Sequence, residues 1–214
     1  TGIGMGGGVI SSIAKGAGDE AKARRAVGTT FLMLVLAAAP IMALLLAFAE
    51  PICQLLGGRG ETLSQAAAYL SVIAWGVPFQ ILVTGSMPLI RNQGKVAYAM
   101  GVQVLAGLMN VALDFAFVIV AGWGTAGAAL ATVTAQASAF LLVGAFFLRK
   151  KNRIARRDLR IDGRIALHAL KLGMAPFGLT LLPEATVVAI NVNLAAYGGE
   201  TALAAYAVVS YTAC

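Results

Sequence analysis

Long apolar runs separated by short polar segments dominate the chain. Ala26–Ala49, Leu63–Ile90, Gly124–Leu148 and Thr186–Gly199 carry no charged residue, and Val96–Ala121 carries only Asp114. A helix that crosses the hydrocarbon core of a bilayer needs about 20 predominantly apolar residues. Three of the charge-free runs and Val96–Ala121 reach that length. The run from Thr186 reaches it when extended back to Leu172 with Glu184 inside. The pattern predicts five complete spans. Thr1–Ala14 and Thr201–Cys214 are apolar but too short to cross alone, so each reads as part of a helix. The expectation is a piece of a larger protein, cut within a helix at both ends.

The connections between spans are short, which predicts antiparallel neighbours in an up-and-down bundle, an all-α polytopic membrane protein. Arg149–Arg164 is the one long connection. It reads either as a surface helix on anionic headgroups or as a solvated linker, and its thin apolar face favours the linker.

Composition agrees with the pattern. Of 214 residues, 59% are hydrophobic and 12% charged, against about 25% charged in a soluble domain. The net charge of +7 suggests nucleic acid until its distribution is read. Alternate loops receive Lys15, Lys22, Arg24 and Arg25, then Arg91 and Lys95, then the cluster from Arg149 to Arg164. The intervening loops carry Arg59 before Glu61, an uncharged Gly122-Trp123-Gly124 turn, and Gly198-Gly199-Glu200. This is a positive-inside bias, which places the basic loops in the cytoplasm of a multi-pass plasma-membrane protein and supports the span count. The partner it implies is the lipid bilayer, with no nucleic acid. Cys53 and Cys214 offer no metal or disulfide spacing, and His168 stands alone. No phosphate loop or nucleophile–base set appears, so the chain is not expected to be an enzyme.

Pro40, Pro78, Pro88, Pro176 and Pro183 all fall at membrane depth or near its edge. Each removes a backbone donor and bends its helix, and such bends are tolerated where neighbours or a cavity satisfy the freed carbonyls. Small residues, as in Gly124-Thr125-Ala126-Gly127-Ala128-Ala129, allow close helix approach. This combination suits a transporter better than a passive anchor. Trp75 and the scattered methionines read as packing or interfacial residues. Arg91 reads as an interfacial anchor rather than a gate.

An ionisable residue at mid-span is a functional candidate by default. Asp114 shares a helix face with Asn110, and Gln103 and Gly107 continue the stripe. Thr132 and Gln136 are four apart on the next helix. A carboxylate, an amide oxygen and a hydroxyl converging there would suit Na⁺, or a proton, since a carboxyl taken out of water favours its neutral form. The alternative is a structural hydrogen-bond cluster. Glu184 follows Pro183, with Thr180 and Asn191 on its face. It is a candidate for a substrate cavity together with Gln136, Gln80, Thr180 and Asn191, or else an acid paired elsewhere.

Ile90-Arg91-Asn92-Gln93-Gly94-Lys95, Tyr98-Ala99-Met100, Asn110-x-x-Leu113-Asp114-x-x-Phe117 and Gly124-x-x-Gly127-Ala128-Ala129-Leu130-Ala131-Thr132 together resemble the multidrug and toxic compound extrusion (MATE) family. The opening Gly2-Ile3-Gly4-Met5-Gly6-Gly7-Gly8 and Gly16-x-Gly18-Asp19-Glu20 resemble the end of that family's second helix and the loop after it. Gly173–Pro176 and Tyr197-Gly198-Gly199-Glu200 with Ala204-Ala205-Tyr206 resemble its seventh helix and the entry to the eighth. The resemblance implies a twelve-helix, two-lobe transporter. Residues 1–148 would belong to the N-terminal lobe, 149–164 to a basic interlobe loop and 165–214 to the C-terminal lobe.

It also implies antiport of Na⁺ or H⁺ against amphipathic, often cationic, organic compounds by alternating access in a monomer without a cofactor. Asn110, Asp114 and Thr132 match the positions that line the family's N-lobe cation site. Glu184 resembles an acidic position of the NorM-like branch, while the loops look closer to the DinF-like branch. The nearest rival is a related flippase of lipid-linked saccharides, which typically needs a basic cavity, whereas the mid-membrane charges here are acidic.

Overall fold

The computed structural model describes residues 1–56, 58, 60–149, 154, 158–197 and 206, the side chains of 195–197 excepted. Among these residues seven α-helices follow in order: α1 (Gly2–Gly16), α2 (Glu20–Ala47), α3 (Ala49–Leu55), α4 (Gly60–Asn92), α5 (Val96–Asp114), α6 (Gly124–Leu148) and α7 (Gly163–Tyr197). A π-helix, Phe115–Val120, continues α5 without a break. Among the described residues five helices are long and apolar enough to cross a membrane: α2, α4, α5 with its π-helix, α6, and α7. The five expected spans are therefore present. The expected partial helix at Thr201–Cys214 and the Gly198-Gly199-Glu200 turn lie outside the described residues, apart from Tyr206.

Three boundaries differ from the sequence reading, each for a local reason. The connection after the first span is not a simple loop but contains α3. Phe48 closes α2, and Pro51 sits in the first turn of α3, where a missing N–H costs nothing. Lys22, Arg24 and Arg25 are not loop residues but lie in the opening turns of α2. Asp19 caps that helix by accepting from the Lys22 N–H at 2.9 Å, and Glu20 pairs with Arg24 at 3.0 Å. Finally, α7 begins at Gly163, within the expected linker, because the Asp162 carboxylate accepts from the Arg164 and Ile165 N–H groups. All five membrane-depth prolines lie inside helices.

Named contacts give the helix directions. Ser11 donates to the Ala23 carbonyl at 3.3 Å and Gly7 faces Thr30, so α1 and α2 are antiparallel. Gly4 lies against Gly85, and Gly8 against Pro88 and Asn92, so α1 and α4 are parallel. Gly2 faces Gly173 and Gly6 faces Ala169, so α1 and α7 are antiparallel. Tyr98 donates to the Leu142 carbonyl at 2.7 Å and Asn110 meets Thr132, so α5 and α6 run in opposite senses. Gly16, Glu20, Asn92, Val96, Leu148 and Gly163 consequently share one end of the bundle. That end carries Lys15, Lys22, Arg24, Arg25, Arg91, Lys95, Arg149, Arg160 and Arg164, while Glu50 and Glu61 lie towards the other.

Packing is inverted relative to a water-soluble bundle. Ala74, Ala99, Ala129 and Ala131 are fully buried, whereas Leu36, Leu108, Leu141 and Leu179 are 60–72% exposed. In lipid no hydrophobic force draws large side chains inward, so small residues take the interfaces and leucine faces the acyl chains. Glycine-rich α1 is the extreme case. A Cβ at Gly4 would overlap the Gly85 backbone, one at Gly6 the Ala169 carbonyl, and one at Gly7 the Thr30 side chain. Three neighbours thus pack directly on α1 main chain. A larger apolar cluster, including Leu89, Ile90, Val143 and Phe146, joins α4, α5 and α6 near the basic end.

Candidate functional site: a polar cluster between α5 and α6

The sharp turn Gly122-Trp123-Gly124, with Gly122 at φ 69° and Gly124 at φ 54°, returns the chain so that α6 lies beside α5. Phe117 and Trp123 stack at 5.2 Å across this corner. Gly127 lets α6 approach the π-helix, since a Cβ there would sit 3.0 Å from the Phe117 carbonyl.

This geometry brings Asn110 to Thr132. The Asn110 carboxamide donates to the Thr132 hydroxyl at 3.4 Å, and that hydroxyl donates to the Ala128 carbonyl at 3.0 Å. Asp114 lies one turn from Asn110, away from the basic end. Its Oδ1 is buried and has no hydrogen-bond partner among the described residues. A carboxylate oxygen, an amide oxygen and a hydroxyl therefore occupy neighbouring turns of two facing helices. Such a set can coordinate a hard cation or hold a proton.

The π-helix begins immediately after Asp114. The Ala121 N–H reaches back to the Ala116 carbonyl at 2.9 Å, the wider spacing of that helix type. π-segments are rare and occur disproportionately at functional sites. Sequence reading missed it, because Phe115-Ala116-Phe117-Val118-Ile119-Val120 contains no helix-breaking residue; the glycines that follow are the nearest signal.

The rest of the proposed stripe divides. Gln103 is exposed and bonded to Arg91, whose guanidinium donates to its Oε1 at 2.8 Å. It caps the basic end instead of extending the Asp114 cluster, and Gly107 is exposed as well. Gln136 turns towards α4, where its Oε1 takes the place that a Cβ at Gly76 would fill. That oxygen is also buried without a partner among the described residues. Gln80 is exposed on α4. Thr180 and Glu184 are exposed on α7 and Asn191 is half-buried there. Among the described residues α7 packs on α1 and α2, so these three side chains do not meet the α5–α6 cluster. Thr180 spends its hydroxyl on the Phe177 carbonyl at 2.8 Å. No group of three His, Cys, Asp or Glu side chains among the described residues is arranged to hold a metal ion.

The MatE family model matches residues 1–116. The chain is 32% identical over 209 residues to the multidrug export protein MepA of Staphylococcus saprophyticus, covering 96% of the chain and 46% of that protein. Its fold is similar to an outward-facing multidrug resistance MATE family transporter of the MOP superfamily, with TM-score 0.82 and 23% identity, covering 96% of the chain and 46% of that structure. It is equally similar to a MOP superfamily transporter from Pyrococcus furiosus, with TM-score 0.82 and 24% identity, covering 99% of the chain and 48% of that structure. The latter is described as having a binding pocket of reverse polarity that suggests a different function. The chain spans about half the length of these relatives. With five spans, the expected helix order and a family match over more than half of its residues, the chain belongs to the MatE family of multidrug and toxic compound extrusion transporters.

Proposed function

We propose that the parent transporter exports amphipathic, often cationic, organic compounds in exchange for Na⁺ or H⁺, with Asp114, Asn110 and Thr132 forming the coupling site. The observation that carries this reading is the buried, unpartnered Asp114 oxygen one turn from the Asn110–Thr132 hydrogen bond. The relatives named for multidrug export supply the reaction class.

A coupling ion moves the transporter only by binding one conformation more tightly than the other. Bound at Asp114, it satisfies the buried oxygen at the junction of α5 with the π-helix and so favours the arrangement in which that oxygen is enclosed. A cationic substrate competes for the same negative charge, and competition yields exchange. Glu184, Gln80, Thr180 and Asn191 are proposed to face the substrate cavity, and Gln136, turned into the contact with Gly76 of α4, is not. The basic end is assigned to the cytoplasm of the plasma membrane on the positive-inside rule. We assign residues 1–148 to the N-terminal lobe, 149–162 to the linker and the chain from the start of α7 to the second lobe of a monomer.

The test is efflux of a fluorescent organic cation by the full-length protein in liposomes under a pH or Na⁺ gradient, with Asp114→Asn beside wild type. Export by wild type under one gradient and its loss in the variant supports the reading and identifies the ion. Equal export by both removes Asp114 from coupling. Flipping of a lipid-linked saccharide is the second reading, because the Pyrococcus furiosus relative shows that this fold occurs with a pocket of different polarity. It gains if no gradient moves the dye.

A further inference from the structure

At the basic end a groove of about 710 Å³ opens between α1, the start of α2 and the first turns of α7. Its wall is apolar: Ile10, Ile13, Ala14, Ile165 and Leu172 line it. Ile13 is 65% exposed. Its lip is basic, with Lys22, Arg25 and Arg164 beside His168. Two carboxylates also reach it, and both are engaged locally. Asp19 caps α2 through the Lys22 N–H at 2.9 Å. Asp162 caps α7 through the Arg164 and Ile165 N–H groups and lies 4.0 Å from Arg25. Lys22 and Arg164 have no acidic partner among the described residues. A second hollow shares Ala21 and Arg25 with the groove and adds Arg24, Arg160 and Asp158, so two further cations and one carboxylate lie past the lip.

An inorganic ion would leave the apolar wall unsatisfied, and an organic cation would be repelled by the lip. The remaining match is a molecule with an anionic head and a long apolar body, seated where an interfacial lipid lies. Basic pockets between transmembrane helices on the cytoplasmic side bind anionic headgroups by this charge complementarity, and lysine and arginine stems extend apolar surface towards such a head.

We infer that the α1–α2–α7 groove is a binding site for one anionic phospholipid of the inner leaflet, with its phosphate at Lys22 and Arg164 and an acyl chain along Ile10, Ile13 and Leu172. The inference rests on the membrane orientation proposed above and not on the transport reaction. A lipid seated there bridges α1 and α7, adding to the contacts of Gly2 with Gly173, Gly6 with Ala169 and Ile10 with Ile165.

The experiment uses full-length protein purified in neutral detergent and phosphatidylcholine. Native mass spectrometry and thermal melting follow additions of phosphatidylglycerol, phosphatidylcholine or inorganic phosphate. Wild type is expected to retain one phosphatidylglycerol with several-fold preference over phosphatidylcholine. Lys22→Gln/Arg164→Gln should lose the preference, while Lys95→Gln, at the same end but outside the groove, keeps it. Equal retention by the double variant would reduce the effect to diffuse attraction and overturn the site. Protection by inorganic phosphate equal to that by phosphatidylglycerol would overturn the lipid assignment. A photo-crosslinker at position 13 provides a readout in protein with both cations intact. Capture of lipid supports the site, and capture of another segment of the chain shows the groove to be filled by protein. Dye efflux is not measured in any arm, so failure here is separable from failure of the antiport reading.

Discussion

The Thr132 hydroxyl holds a position between two helices: it accepts from the Asn110 carboxamide at 3.4 Å and donates to the Ala128 carbonyl of its own helix at 3.0 Å. So long a hydrogen bond adds little to stability, at most about 0.5 kcal/mol, whereas an oxygen in an ion site is felt in coupling. Thr132→Val preserves shape and removes the oxygen. Its melting temperature is expected to stay near that of wild type, while ion-dependent efflux falls several-fold. Asn110→Ala combined with Thr132→Val should lose less than the sum of the single changes, as for two ligands of one ion. Strictly additive losses would separate the two residues functionally.

The main-chain contact of α1 with α7 predicts opposite effects for the same substitution at two glycines. A Cβ at Gly6 overlaps the Ala169 carbonyl, whereas Gly107 has nothing within 4 Å of the added atom. Gly6→Ala should destabilise by about 1–3 kcal/mol, the usual range for overpacking. Gly107→Ala should stabilise α5 by roughly 0.5–1 kcal/mol by lowering the entropy of the unfolded chain. Thermal melts in detergent decide this, and shifts of the same sign would contradict the close crossing.

Much of the bundle is legible in the sequence, because membrane spans are written as charge-free length and loop sidedness as lysine and arginine. Gly124–Leu148 is predicted to the residue. The α5–α6 pairing is legible too, since four-residue spacing and a short turn are local facts. What is not legible depends on partners distant in sequence. Gln103 follows the helical spacing of Asp114, yet Arg91 claims it from the neighbouring helix end. Gln136 follows the spacing of Thr132, yet the gap left by Gly76 draws it towards α4. The π-helix has no compositional mark, and α3 hides in a segment whose proline suits a first turn as well as a loop.

Thr29 ties the approach to α7 onto α2. Fully buried, it donates to the Arg160 carbonyl at 2.9 Å and accepts from the Asp162 N–H at 3.4 Å. Thr29→Val leaves two backbone groups short of a partner, costing about 1–3 kcal/mol, while Thr29→Ser retains most of the bond. Trypsin should cut after Arg160 faster in the valine variant than in the serine variant. Identical cleavage would show that the fastening does not depend on the hydroxyl.

The fit of Gln136 against Gly76 is testable as a pair. Gly76→Ala places a methyl where Gln136 Oε1 now lies and should destabilise by about 1–3 kcal/mol. Adding Gln136→Ala should recover part of that loss, because the two changes share one space. A double variant as unstable as the sum of both would place the carboxamide elsewhere.

Cys53 lies in α3, outside the five spans, and its burial pushes the thiol above its usual range. The reactive thiolate is therefore scarce at neutral pH and becomes plentiful only above the ordinary thiol range. In a Cys214→Ser background, maleimide labelling should be slow at neutral pH and rise steeply on alkalinisation. A cysteine introduced at exposed Gln54 in a Cys53→Ser/Cys214→Ser background should label readily throughout. Equal rates at neutral pH would contradict the burial.

The glycine face of α1 also bears on how helices move past one another. Surfaces built from interlocked side chains behave like meshed gears: displacement requires each tooth to change rotamer, and the packing resists until it jumps. A face without side chains has no teeth. At Gly2 against Gly173 and Gly4 against Gly85 main chain meets main chain, so at these two crossings a displacement of one helix along the other requires no side chain to change rotamer.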